Sequence, residues 1–275
     1  MSTICIYHGP GCLDGFASAW TMKKFADLTG MEVEFVMGIY QTAPPDVTDK
    51  DVYLLDFSYK RDVLLEMASK ANSITILDHH KTAEEDLKDL PSNITCIFDM
   101  SRSGAMITWN YFFPDIFPPM LIKHIQDRDL WQFKINGTKE ITAALFSYPL
   151  DFEVWDDLIE NRIIDSLYTE GKALLRKQEK DVESLIKNLA YRANIAGYNV
   201  PIINVPSMFA SDVGAIMSVG EPFAASYFEL PYARVYSLRS QPGGIDVSAI
   251  AKKYGGGGHP GASGFKINFG RIDDI

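Results

Sequence analysis

The sequence predicts an α/β fold: a parallel-sheet N-terminal domain joined by a helical connector to a smaller α+β C-terminal domain. Three observations predict it. Short apolar runs alternate with helical stretches through the first part of the chain, the pattern of parallel βαβ units. Three of those runs end in acids or imidazoles, at His8, Asp56 and Asp78-His79-His80, and in an open α/β sheet the carboxyl ends of the strands are where sites are built. Beyond a charged helical stretch the periodicity changes to closely spaced strands, which marks a second unit.

Residues 4–7 read as a buried strand that breaks at His8-Gly9-Pro10-Gly11 into a tight loop. Asp14-Gly15 follows, then a helix over 16–28 with Phe16, Ala19, Trp20, Phe25 and Leu28 as its buried positions. Strands are predicted at 33–36, at 52–55 ending on Asp56, at 74–77 ending on Asp78, and at 94–98 ending on Asp99, with a helix at 63–71. A helix over 103–113 is stopped by Pro114. After a proline-bearing loop to Pro119 another helix starts near Met120 and carries Gln126, Asp127, Arg128 and Asp129 at its end. Residues 152–189 have helical, charged composition, and the mixed-sign run 170–183 suits a solvated face. The connector is therefore placed at 166–190, between domains at 1–165 and 191–275. In the last domain strands are predicted at 200–205, 223–230 and 233–238, with helices at 212–219 and 246–253, the second ending at the glycine run 255–258.

With 275 residues and 47% apolar content the chain has material for a real core. A net charge of −10 argues against a protein that grips long nucleic acid through a broad basic face. It leaves room for a short phosphorylated substrate, because a metal supplies positive charge locally. Cys5, Cys12 and Cys96 are scattered without CxxC spacing, which suits a reducing compartment. No long apolar stretch is visible, so the expectation is a cytoplasmic protein with no membrane partner.

Asp78, His79 and His80 set an acid beside two imidazoles that would repel one another if protonated, and a divalent cation is the group that would hold them. The bland reading is a surface loop with two histidines. A single carboxylate at a strand end is often a cap or a turn residue; several on one sheet edge fit that explanation poorly. The glycine run lets backbone approach an anion, with His259 beside it, although such runs also serve as plain flexible loops. Arg239 would fork onto a phosphate or stack on a base, or is simply an arginine at a strand end. Arg102-Ser103-Gly104 precedes a helix, where N–H groups favour an anion; helix capping by Ser101 or Ser103 explains the same residues. Trp131 reads as core and His124 as a helix-surface residue.

Taken in order, HGPGCLDG at 8–15, LLDFS at 54–58, ILDHH at 76–80, IQDRDLW at 125–131 and GGGGHPGASGF at 255–265 resemble the signature motifs of the DHH phosphoesterase family with its DHH-associated C-terminal domain. The resemblance spans nearly the whole chain. It implies a metal-dependent phosphoesterase, of the nano-RNase or exonuclease kind, that hydrolyses short oligonucleotides or small nucleotide phosphates through a metal-activated water. The implied cofactor is Mn2+, with Mg2+ or another divalent metal as alternatives and one or two ions bound. A cyclic-dinucleotide phosphodiesterase, an exopolyphosphatase or pyrophosphatase, and a non-catalytic nucleotide-binding sensor are the alternatives it leaves. By the resemblance His8, Asp14, Asp56, His79 and Asp127 are metal ligands, with Asp56 bridging two ions and with Cys12 and Asp129 left open. Asp78, His79 and His80 are the catalytic triplet, and Arg239, Gly256, Gly257, Gly258, His259, Arg102 and Ser103 contact the substrate. The implied partner is a short oligonucleotide or small nucleotide and not a long duplex nucleic acid; a homodimer is left open. One departure matters. Two-metal members carry an aspartate four residues after the first-motif histidine, and here that position is Cys12. It is either a softer ligand that must lose a proton to bind or a small residue that packs.

Overall fold

The computed structural model describes residues 2–161 and 164–269. It divides into two compact units, Met1–Leu175 and Arg176–Ile275. The first contains β1 (Ser2–His8), α1 (Leu13–Thr29), β2 (Val33–Gly38), β3 (Lys50–Leu55), α2 (Arg61–Ala68), β4 (Ser73–Asp78), α3 (Lys81–Asp86), β5 (Ile94–Phe98), α4 (Gly104–Phe112), α5 (Met120–Asp129), α6 (Thr138–Leu145) and α7 (Phe152–Asp156). A 26-residue helix, α8 (Ile164–Leu189), runs on into the second unit.

The five strands of the first unit pair in parallel, in the order β2-β1-β3-β4-β5. The chain moves outward from β1 to β2 and then returns to the other side of β1, so the sheet reverses its winding between β1 and β3. That reversal is where an open α/β sheet leaves a crevice at its carboxyl edge. Both faces of the sheet are covered. Ile4, Ile6, Leu54, Ile74 and Ile76 pack on one side with Leu64 and Met67 of α2, and Cys5, Leu55 and Leu77 pack on the other with Phe16 and Trp20 of α1 and Ile107 of α4. Burial on both sides is why the strands read as unbroken apolar runs rather than as alternating ones. Each fully buried aliphatic contributes about 1.5–3 kcal/mol, and this packing fixes the strand ends on which the acids sit.

Helix α1 starts at Leu13, earlier than its apolar face suggests, and so takes Asp14 into its first turn; it ends at Gly30, whose φ of 72° closes the C-cap onto Ala26. Helices α3 and α6 were not expected from the sequence. The second unit contains β6 (Tyr191–Ile195), β7 (Tyr198–Asn204), α9 (Ala210–Met217), β8 (Ala224–Leu230), β9 (Ala233–Arg239), α10 (Val247–Lys253), β10 (Gly257–Gly258) and β11 (Ala262–Asn268). They form a mixed six-stranded sheet ordered β10-β11-β9-β8-β7-β6, in which β7 and β8 run parallel and the other neighbours antiparallel. One face packs on Val247, Ile250 and Ala251 of α10, the other on Val213 and Met217 of α9. The outer strand β6 and the inserted strand β11 are additions to the sequence reading. Among the described residues no helix is long and apolar enough to cross a membrane.

Candidate metal centre

Three adjacent strands deliver the centre. His8 ends β1, Asp56 follows β3 and Asp78 ends β4, and the parallel register sets them along one edge. Asp56 adopts a left-handed backbone, φ 52°, a conformation that costs a non-glycine residue about 1–3 kcal/mol. Its N–H bonds Leu77 O at 2.9 Å, which ties the turn to the next strand. Gly104, at the start of α4, backs onto the Asp56 side chain: a Cβ there would stand 2.9 Å from Asp56 Cγ, so only glycine lets the helix come this close. Gly15 plays the same part for His8, where an added Cβ would lie 2.7 Å from His8 Cβ.

The two oxygens of Asp56 face different partners. Oδ2 lies 3.2 Å from His8 Nδ1 and accepts the Cys12 thiol at 3.4 Å. Oδ1 lies 3.1 Å from His79 Nε2, which is also 3.7 Å from Asp14 Oδ2 and 3.5 Å from Asp129 Oδ2. His8, Cys12 and Asp56 thus form one donor set and Asp14, Asp56 and His79 another, each with its donor atoms within 4.8 Å of one another; Asp56, Asp78 and His80 form a third. Asp14 is held by the N-terminus of α4, its oxygens accepting Gly104 N at 2.6 Å and Ala105 N at 3.1 Å. Asp78 is fully buried; Oδ1 accepts His79 N at 2.7 Å and His80 N at 3.3 Å and lies 2.7 Å from His80 Nδ1.

This crowding leaves more carboxylate than the local cations neutralise. Burial, with the charges of Asp56 and Asp129, pushes Asp14 well above the usual carboxylate range although His79 opposes it. Withdrawal from water raises Asp129 too, and Asp56 adds to the effect. Burial would lower His79, but the carboxylates of Asp56, Asp129 and Asp14 outweigh it and hold the imidazole up at about 10. Asp56 is held low against its burial by His79 and His8. Burial lifts the Cys12 thiol to about 11, with His8 pulling the other way. A divalent ion would relieve this excess of negative charge, and two buried carboxylate oxygens, Asp56 Oδ1 and Asp78 Oδ2, have no hydrogen-bond partner of acceptable geometry. Nitrogen and oxygen donors from His8, Asp14, Asp56, His79 and Asp129, with the sulfur of Cys12, fit such an ion.

Several expected residues have other places. Asp127 joins none of these donor sets: its carboxylate accepts Lys134 N at 2.8 Å, Ile135 N at 3.0 Å and Thr138 Oγ1 at 2.6 Å, closing the turn between α5 and α6. Asp129, left open by the sequence, is the α5 carboxylate that reaches His79. Ser103 is fully buried as the N-cap of α4, its hydroxyl accepting Met106 N, and its own N–H goes to Gln126 Oε1. The anion at that helix end is Asp14, so the expected substrate contact of Ser103 gives way to a cap. Arg102 pairs with Asp99 at 2.7 Å. Cys12 is both N-cap of α1, accepting Gly15 N at 3.4 Å, and a neighbour of Asp56. In the second unit Arg239 ends β9 and donates to Ser211 Oγ at 3.0 Å and Leu238 O at 2.9 Å. The glycine run makes the β10–β11 hairpin. Gly256 N is taken by Ala251 O, Gly257 and Gly258 pair with Gly264 and Ser263, and His259 N bonds Ala262 O, so these N–H groups are less bare than the sequence suggests. His124 is 2% exposed and meets Thr138 at 2.9 Å, and Trp131 is 41% exposed, the reverse of what was expected of each. The sequence reading missed Tyr40, whose ring stands edge-on to His8 at 5.2 Å and to His80 at 6.2 Å. Its position just past the second apolar run, as His8 follows the first, was the available signal.

No family model matches the chain. The protein R106 of Acanthamoeba polyphaga mimivirus, described as uncharacterized, is 34% identical over an alignment of 299 positions that covers 98% of this chain and 70% of that one. Among solved structures, the pGpG-specific phosphodiesterase PggH of Vibrio cholerae aligns over 99% of this chain and 94% of its own with a TM-score of 0.52 at 14% identity. RecJ of Thermus thermophilus, solved in complex with Mn2+, aligns over 96% of this chain and 49% of its own with a TM-score of 0.54 at 13% identity. The chain belongs to one family with mimivirus R106, and its fold, with a His/Asp cluster at the sheet edge, is that of the DHH phosphoesterases.

Proposed function

We propose that the N-terminal unit is a divalent-metal phosphoesterase acting on short oligonucleotides or small nucleotide phosphates. The observation that carries the reading is Asp56, whose two oxygens face two different donor sets, His8 with Cys12 and His79 with Asp14. A divalent ion bound between such residues activates a water and draws charge from a phosphate oxygen. The chain's own residues do the positioning. The α4 N-terminus fixes the Asp14 carboxylate, and the left-handed turn at Asp56 aims its oxygens to opposite sides. Asp78, as a positioning residue, holds His80 by Nδ1 and so sets Nε2 as the ring atom that would meet an ion or the substrate. Tyr40 lies against both imidazoles and forms a half-exposed wall of the same edge.

Substrate size is argued from charge. A net −10 disfavours a long phosphate track, and the neighbour named for pGpG supports a substrate of dinucleotide size. The test is turnover of bis(p-nitrophenyl) phosphate with added Mn2+, followed by a panel of short RNA, adenosine bisphosphate, cyclic dinucleotides and polyphosphate. Turnover is expected, strongest on the short RNA of the panel, and His79→Ala should reduce it by at least about a hundredfold. Nucleotide binding without any turnover in the native chain would make it a sensor instead.

A further inference from the structure

We propose that the two halves of the centre prefer different metals: the His8–Cys12–Asp56 half takes a thiophilic ion of the zinc class, and the Asp14–Asp56–His79 half takes a hard ion such as manganese. The inference rests on the metal-centre reading above and deepens it. The first half offers one imidazole, one thiol and one carboxylate oxygen, the three donor types that zinc accepts, and three protein donors leave the fourth tetrahedral position for another group. Two of its three donor separations already suit such an ion. Zinc bonds of about 2.3 Å to sulfur and about 2.0–2.1 Å to nitrogen or oxygen separate tetrahedral donors by about 3.3–3.6 Å. Cys12 Sγ stands 3.4 Å and His8 Nδ1 3.2 Å from the same oxygen, Asp56 Oδ2. On binding, the thiol S–H bond and the His8 Nδ1–H bond would both break, the two protons would leave to solvent, and the sulfur and the nitrogen would bond the ion beside Asp56 Oδ2.

The thiol is held in place independently of any ion. It caps α1 by accepting Gly15 N at 3.4 Å, which fixes the sulfur beside Asp56. The tight approach of Gly15 to the backbone and Cβ of His8 ties that residue to the same turn. The other half has no sulfur. Asp14, Asp56 and Asp129 surround His79, an oxygen-rich set that suits manganese or magnesium.

The full-length chain, stripped with chelator and reloaded with excess Co2+, tests the division by absorption. A thiolate-to-cobalt charge-transfer band is expected in the native protein and should vanish in Cys12→Ser, which keeps a good N-cap and leaves Cys5 and Cys96 in place. Metal analysis after loading with one equivalent of Zn2+ against excess Mn2+ should give one of each per chain, and Cys12→Asp should lower the zinc preference at least about tenfold. Cobalt bound without the band, a band that survives Cys12→Ser, or an unchanged zinc-to-manganese ratio in Cys12→Asp would overturn the inference and leave the phosphoesterase reading standing. A native chain that binds no cobalt would overturn both.

Discussion

Asp127 and Asp129 stand two residues apart at the end of α5, and so about 200° apart around its axis, which prevents them from serving the same partner. Asp127 satisfies two backbone N–H groups and a hydroxyl in the turn that follows. Replacing it by alanine strands those donors, at a cost of about 2–3 kcal/mol in unfolding free energy, with manganese affinity retained. Asp129→Asn should do the opposite, weakening manganese binding by about 10- to 100-fold with little change in stability. Denaturant unfolding and calorimetric titration of both variants would expose an exchange of these effects, which would return the ligand role to Asp127. The sequence places both acids at the helix end but not their directions. What decides is the chain after α5, where Trp131 and Phe133 take φ values of 55° and 48° and turn the Lys134 and Ile135 amides back onto Asp127. Nothing in their residue types announces that turn. Ser103 shows the same limit: a helix start can be read as an anion site, yet only the fold reveals that the anion is Asp14.

Strands carrying the centre were legible because they are buried on both faces, so that Val52, Leu54, Leu55 and Asp56, or Ile74, Ile76, Leu77 and Asp78, form an apolar run with an abrupt polar end. Strands whose place comes from pairing were not. In β11 the residues Ala262, Ser263 and Gly264 have weak strand preference, and the segment is a strand because it lies between β9 and β10. Helix α6 did carry a signal, Ile141, Ala144 and Leu145 on one face, starting after Gly137. The contact between α4 and the β3 end is the least visible of all from composition, since it depends on the missing side chain of Gly104. Gly104→Ala tests it. The added methyl would have to displace either α4, and with it the two N–H groups that hold Asp14, or Asp56 itself. Manganese affinity should fall by at least about tenfold. Unchanged affinity and turnover would mean that the packing tolerates the methyl and that α4 does not set the geometry of the centre.

A chain with net charge −10 that gathers Asp14, Asp56, Asp78 and Asp129 at one sheet edge stores repulsion there until cations relieve it. The unlike donor sets make the number of ions measurable from stability. An ion that binds only the folded chain adds about 1.4 kcal/mol to the unfolding free energy for each tenfold rise in free ion above its Kd, and two such ions add about 2.8. Titrated with manganese, the native chain should follow the lower slope, because its oxygen-rich half suits that ion and the Cys12 half does not. Cys12→Asp converts the second half to oxygen and nitrogen donors and should move the slope toward the higher value. Isothermal chemical unfolding over a manganese series reads both. Identical slopes in the two proteins would mean that Cys12 does not divide the centre, and a flat response in both would mean that the carboxylates are balanced by protons alone.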